Sequence, residues 1–235
     1  DFMLTEEAHH LFVGESGLDR IIKRSAELTR ETDGDPMKAG GIPLDMIQRS
    51  INYWFTYSLD LFGGEISSNA ANFFAEGLKG RFKEKSRYED HIMKEGVKII
   101  PQVVNNVVVE EQIPYRNTIN EVLRDEYIDD VQRALRKWNR TLEKMELETR
   151  ITLPSRRFHR HQGIYSNHAF DPEGNLITEE ELKKNSDRWL LNDEDNDYLV
   201  SIMHQVIEPG KMANWIAPPA RGINGQPLDF EYVRL

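Results

Sequence analysis

Thr5-Glu6-Glu7-Ala8-His9-His10 is the stretch on which the reading of the fold turns. It lies in a helical pattern. Met3, Leu4, Leu11, Phe12, Leu18, Ile21, Ile22 and Leu28 recur at three- and four-residue spacing across residues 2–32. Residues three apart on a helix share a face, so Glu7 projects with His10 and Glu6 with His9. In ferritin-like bundles two helices each give a Glu-x-x-His pair and two others each give a lone carboxylate, all pointing inward around two metal ions. Iron suits such a mixed oxygen and nitrogen set. A zinc peptidase motif needs histidines four apart, whereas His9 and His10 are adjacent. Glu-x-x-His also arises on ordinary solvated helices, and the spacing alone leaves both registers open.

Outward from this helix the chain reads as mainly α. Gly14 and Gly17, around Glu15-Ser16, predict a kink or a break. Thr32-Asp33-Gly34-Asp35-Pro36 through Gly40-Gly41-Ile42-Pro43 reads as a loop, and a helix over 44–62 follows, ended or bent by Gly63-Gly64. A further helix is expected from Ser67 or Ser68 to about residue 82. Pro101 and Pro114 bracket 103–112, where Val107-Val108-Val109 has strand propensity but is short enough to sit in a helix. The strongest pattern is a helix over 118–148, with Ile119, Val122, Leu123, Tyr127, Val131, Leu135, Trp138, Leu142 and Met145 on one face. From Ile151 the character changes. Phe170-Asp171-Pro172-Glu173-Gly174-Asn175-Leu176 reads as a small hairpin, and Pro209, Gly210, Pro218, Pro219, Gly222, Gly225 and Pro227 crowd the end. Residues 151–235 are therefore expected to be a largely irregular C-terminal extension packed on the helical body.

Composition narrows the function classes. The 235 residues are 39% hydrophobic and 30% charged, with a net charge of −10 and no cysteine. Disulfides, thiolate metal sites, iron–sulfur clusters and a cysteine nucleophile are excluded. A nucleic-acid partner is not expected, because phosphate binding needs a cationic surface. No apolar run reaches the ~18–20 residues of a membrane-spanning helix. These features fit a cytoplasmic protein. The chain opens on Asp1 and runs directly into a helix, as a piece from the middle of a longer protein would. The oligomeric state is not legible.

Several stretches together carry a family resemblance. Phe2-Met3-Leu4-Thr5-Glu6-Glu7-Ala8-His9-His10-Leu11-Phe12-Val13-Gly14-Glu15-Ser16-Gly17 resembles the last ligand helix of the benzoyl-CoA epoxidase oxygenase components. Tyr53-Trp54-Phe55, Asp60-Leu61-Phe62-Gly63, Ser67-Ser68-Asn69-Ala70-Ala71, Gly77-Leu78-Lys79-Gly80-Arg81 and Ile113-Pro114-Tyr115-Arg116-Asn117-Thr118-Ile119-Asn120 are similar too, as are Arg156-Arg157-Phe158 and the C-terminus. The resemblance implies that residues 1–150 are the C-terminal helices of a ferritin-like di-iron catalytic domain. It implies epoxidation of the benzoyl-CoA ring by O2 to 2,3-epoxybenzoyl-CoA, in aerobic degradation of aromatic compounds. Electrons would come from NADPH through a separate flavin and iron–sulfur reductase. Glu6-Glu7-Ala8-His9-His10 further resembles the Asp-Glu-x-x-His form common in such proteins. Glu7 and His10 are then the metal ligands, and Glu6 and His9 sit about 100° round the helix as supporting or surface groups. Of the six ligands such a centre takes, this chain supplies two, so by itself it is expected neither to hold two irons nor to turn over. The competing expectations are a related di-iron acyl-CoA or arene monooxygenase and an inactive ferritin-like structural fragment.

Two basic clusters stand out in an acidic chain. Lys79 and Arg81, followed by Lys83, Lys85 and Arg87, suit the phosphates of CoA, as do Arg156 and Arg157 with His159 and Arg160. The plainer reading of each cluster is a solvated surface. Tyr53, Trp54, Phe55, Tyr57, Phe62, Phe73 and Phe74 read as core or as an aromatic pocket. Asp19 and Asp60 are helix-surface carboxylates that could orient a ligating histidine. His91, His161, His168 and His204 are isolated and receive no role.

Overall fold

The structure is a computed structural model that describes residues 2–67 and 96–203, with side chains from Glu6 onward. It is mainly helical. In chain order come α1 (Phe2–Glu31), a 3-10 turn (Pro36–Ala39), α2 (Leu44–Asp60), strands β1 (Val97–Val104) and β2 (Val107–Pro114), and a second 3-10 turn (Tyr115–Asn117). Then follow α3 (Ile119–Lys144), β3 (Ala169–Phe170), β4 (Leu176–Ile177), α4 (Glu179–Trp189) and α5 (Asp193–Ile202). The helix expected to begin at Ser67 or Ser68 lies outside the described residues, as do Lys79, Arg81, Phe73 and Phe74.

Helix α1 runs unbroken through Gly14 and Gly17, so the break between two helices that they suggested is not there. Each glycine costs an exposed helix about 1 kcal/mol relative to alanine, and the long flanking helix absorbs this. Helix α2 stops where Gly63 takes a left-handed φ of 77°, as its Gly-Gly sequence predicts. The valine-rich stretch is a strand, and it belongs to a longer antiparallel hairpin. Val104 pairs with Val107 around Asn105 and Asn106, which have φ of 50° and 60°. Two left-handed residues make the turn that matches strand twist. Pro101 is accommodated because each strand of a two-stranded ribbon has a free edge. The small hairpin around Pro172 is present as β3 and β4. Two helices follow within the described part of the C-terminal stretch. Each opens with a reciprocal capping box, Thr178 with Glu181 and Asn192 with Asp195.

The described residues divide into two compact units, and the boundaries fall inside α2 and α3. The first unit takes residues 2–50, 133–152 and 191–203. Ile22, Ala26, Leu28, Ile47, Trp138, Leu142 and Ile151 are among its buried apolar residues. An extended segment is held there by two side-chain amides. Gln48 exchanges hydrogen bonds with the N–H and C=O of Thr152, both 2.8 Å, and Asn139 does the same for Ile151 at 2.9 and 2.8 Å. Arg49 forks onto Asp195 at 2.8 and 2.6 Å, and Tyr198 donates to the carbonyl of Gly41 at 2.6 Å. The second unit takes residues 51–67, 96–132 and 153–190. Phe55, Leu59, Ile100, Ile113, Phe158, Tyr165 and Phe170 are buried in it, and it holds the charged network described below.

Gly41 sets a tight contact in the first unit. A Cβ there would lie 2.6 Å from Cδ1 of Leu28 and 3.1 Å from the backbone oxygen of Pro36. Gly41→Ala is expected to lower the unfolding free energy by about 1–3 kcal/mol through overpacking. Urea unfolding checks this, and an unchanged midpoint would show that Leu28 moves aside at no cost.

Candidate metal-binding helix and a buried ion network

Glu7 and His10 lie on one face of α1, as their spacing requires, with His10 Nδ1 3.9 Å from Glu7 Oε2. Both side chains are well exposed, at 67% and 64%. Glu6 and His9 are exposed as well, and the His9 and His10 rings are 6.4 Å apart. Among the described residues no group of three or more His, Asp or Glu side chains gathers to hold a metal. The same part of α1 exposes large apolar side chains: Leu11 at 74%, Val13 at 52% and Phe12 at 47%. Glu7 and His10 thus form a two-donor pair on a helix whose apolar residues next to the pair are open.

In the second unit Asp60, Arg156 and Arg160 join residues that sequence reasoning passed over, Glu65, Lys98, Glu121, Arg124 and Asp125, in one ion network. Arg124 is fully buried. Its Nε donates to the carbonyl of Leu59 at 3.2 Å and its Nη2 to that of Gly63 at 2.6 Å. Its Nη1 pairs with Glu121 and lies 3.6 Å from Glu65. Arg160, also fully buried, pairs with Asp60 at 2.5 Å and with Glu65 at 2.9 Å. Arg156 reaches Glu121 at 2.7 Å and Asp125 at 2.6 Å, and Lys98 pairs with Asp125. Four basic and four acidic side chains thus balance. Backbone donors add to two of the carboxylates. His161 N–H donates to Asp60 at 2.9 Å and Ile164 N–H donates to Glu65 at 2.8 Å. Gly163, at φ 85°, lies so close that a Cβ would fall 1.9 Å from Oε2 of Glu65.

The electrostatics follow from burial. Desolvation and the charge of Arg160 pull the Arg124 guanidinium down to about 10, still cationic at neutral pH. Burial, with Glu65 adding to it, pushes the Tyr165 phenol up to about 12, and its hydroxyl donates to the carbonyl of Pro101 at 2.8 Å. At Asp125 burial raises the carboxyl, but hydrogen bonds from Lys98 and Arg156 outweigh it and hold the group below its ordinary value.

This geometry places the second basic cluster. Arg156 is committed to two carboxylates of its own chain, so a phosphate would have to displace them. Arg157 lies with its guanidinium 5.6 Å above the Phe170 ring. Asp60 anchors Arg160 and the following loop, and Asp19 accepts from Thr141 Oγ1 at 3.1 Å. The aromatic run divides, with Phe55 buried and Trp54 and Tyr57 exposed. No helix among the described residues is long and apolar enough to cross a membrane.

No family model matches the chain. Its similarity is to a component of an oxygenase, and it runs along nearly all of the sequence. That relative is benzoyl-CoA oxygenase component B of Aromatoleum evansii, 45% identical over 238 residues that take in 99% of this chain and 50% of the relative. The chain therefore spans about half the length of the curated relative it matches, in keeping with the resemblance read from its sequence.

Arg124→Met is expected to cost about 3–5 kcal/mol, because it strands buried carboxylates. Arg157→Met, which leaves the ion pairs of the described residues intact, is expected to cost much less. Urea unfolding of both variants compares them, and an Arg124→Met protein as stable as the parent would show that the network carries no net stability.

Proposed function

We propose that this chain is part of a di-iron oxygenase that epoxidises the ring of benzoyl-CoA, and that Glu7 and His10 are its contribution to the metal centre. The single observation that carries this reading is the 45% identity along 99% of the chain to a protein named as a benzoyl-CoA oxygenase component. In balanced form, benzoyl-CoA, O2, NADPH and a proton give 2,3-epoxybenzoyl-CoA, water and NADP+. A separate flavin and iron–sulfur reductase passes the electrons on, a role consistent with the relative's being one component of a larger system.

The donor chemistry of Glu7 and His10 fits iron, since a carboxylate can bridge two cations and an imidazole leaves positions free. When bound, iron supplies the redox chemistry that activates O2. The pair is two donors and not six, so the others come from elsewhere in the protein. The open apolar residues beside the pair, Leu11, Phe12 and Val13, support the same reading. In a ferritin-like bundle they would pack against the helices that bring the remaining ligands, and their closure would keep water from the reacting ring. Arg157, which makes no carboxylate pair among the described residues, is the better candidate of the second basic cluster for a CoA phosphate, with Lys79 and Arg81 as the other candidates.

Metal analysis tests the ligand assignment apart from activity. The isolated chain is expected to retain fewer than two irons. In the full-length protein, Glu7→Gln or His10→Ala is expected to lower bound iron at least two-fold with the helical circular dichroism unchanged. Two tightly bound irons in the isolated chain, or full occupancy in both variants, would overturn the assignment. Oxygen uptake by the full-length protein with its reductase, comparing benzoyl-CoA with phenylacetyl-CoA, tests the substrate.

A further inference from the structure

The chain doubles back around the end of α2, and two histidines that the oxygenase reading does not use meet there. His159 holds a left-handed backbone, φ 48°. Its ring stands edge-on to His161 at 4.6 Å, with Phe158 at 5.9 Å and Tyr53 at 6.2 Å. Its Nδ1 is buried and has no hydrogen-bond partner among the described residues. A neutral imidazole tolerates this, because its bare nitrogen loses only an acceptor's bond. An imidazolium carries an N–H there with nothing to receive it. The groups facing the pair are Tyr53, Tyr57 and Asp60 from α2, and Arg160 from the loop itself. Trp189 of α4, packed on Phe158, is uncharged. Asp60, the nearest anion, is already engaged by Arg160 Nε and by the N–H groups of His161 and Gln162. His161 has Nδ1 3.3 Å from Asp60 and is half exposed.

We infer that the His159–His161 pair makes the loop over residues 158–164 an acid-sensitive latch on the end of α2, closed while His159 is neutral and released when it is protonated. Burial first, and the charge of His161 next, hold His159 below the ordinary histidine value, against the pull of Asp60. The open loop takes its proton near about 6.5, and the closed loop takes it lower. The open form thus binds more protons in that window. Closure is fully stable above it, weakens as pH falls through it, and levels off below it.

Hydrogen exchange of the full-length protein tests this, read on the amides of His161, Gln162 and Ile164, which donate to Asp60 and Glu65. After correction for the intrinsic rate, protection is expected to fall about ten-fold or more between pH 7.5 and 5. The fall should vanish in both His159→Phe and His159→Gln. In His161→Phe, which removes the like charge, the fall should shrink, because the freed His159 titrates closer to its open-loop value. Unchanged protection in the parent, or the same acid loss in parent and both His159 variants, would overturn the latch. If His159→Phe fails to fold, His159→Gln alone decides.

Discussion

Arg124 must find counter-charge inside the protein. It is fully buried yet cationic at neutral pH, and an unpaired buried charge would cost more than a domain's whole stability. Its donors therefore dictate what comes near. Two of them claim the carbonyls of Leu59, in the last turn of α2, and of Gly63, just past its end. A third faces Glu121 and Glu65. Those carboxylates have further capacity, and Arg156 and Arg160 fill it. The order of contacts in the second unit follows from that chain of obligations: the end of α2, the start of α3, the loop after Leu153 and, through Lys98 and Asp125, strand β1.

Such a network is poor evidence for stability by itself, since apolar residues of equal volume often do as well. What it gives is a single arrangement. The Glu65 carboxylate fits only against a glycine at 163, and Asp60 accepts from two successive amides of the returning loop. A shifted register would leave several charges unpaired at once. The loop's left-handed residues, His159 and Gly163, are held in place by these bonds.

Sequence reading found what depends on periodicity and missed what depends on pairing. Helices α1, α2 and α3 were legible because apolar residues recur along them. The hairpin was half legible. Val107-Val108-Val109 signalled a strand, while Asn105-Asn106 between valine pairs was the unused turn signal. Thr178-Glu179-Glu180-Glu181 and Asn192-Asp193-Glu194-Asp195 are capping signatures that announce α4 and α5, yet neither helix buries an apolar residue. At the metal pair, spacing sufficed for the shared face of Glu7 and His10. It could not say whether that face is covered, because cover depends on distant chain.

The basic clusters show why charge in sequence is ambiguous and how structure divides it. Arg156, Arg157 and Arg160 are near neighbours in an acidic chain, and read alone they invite a phosphate. Arg160 is sealed between Asp60 and Glu65, and Arg156 is spent on Glu121 and Asp125. Their anions arrive from residues 31 to 100 positions away, a separation that no local window detects. Arg157 alone of the three lies against a ring and not a carboxylate. A guanidinium stacked on an aromatic face keeps its in-plane N–H groups free to donate. An anionic ligand approaching this cluster would therefore meet one available fork, and taking either of the others would break ion pairs within the unit.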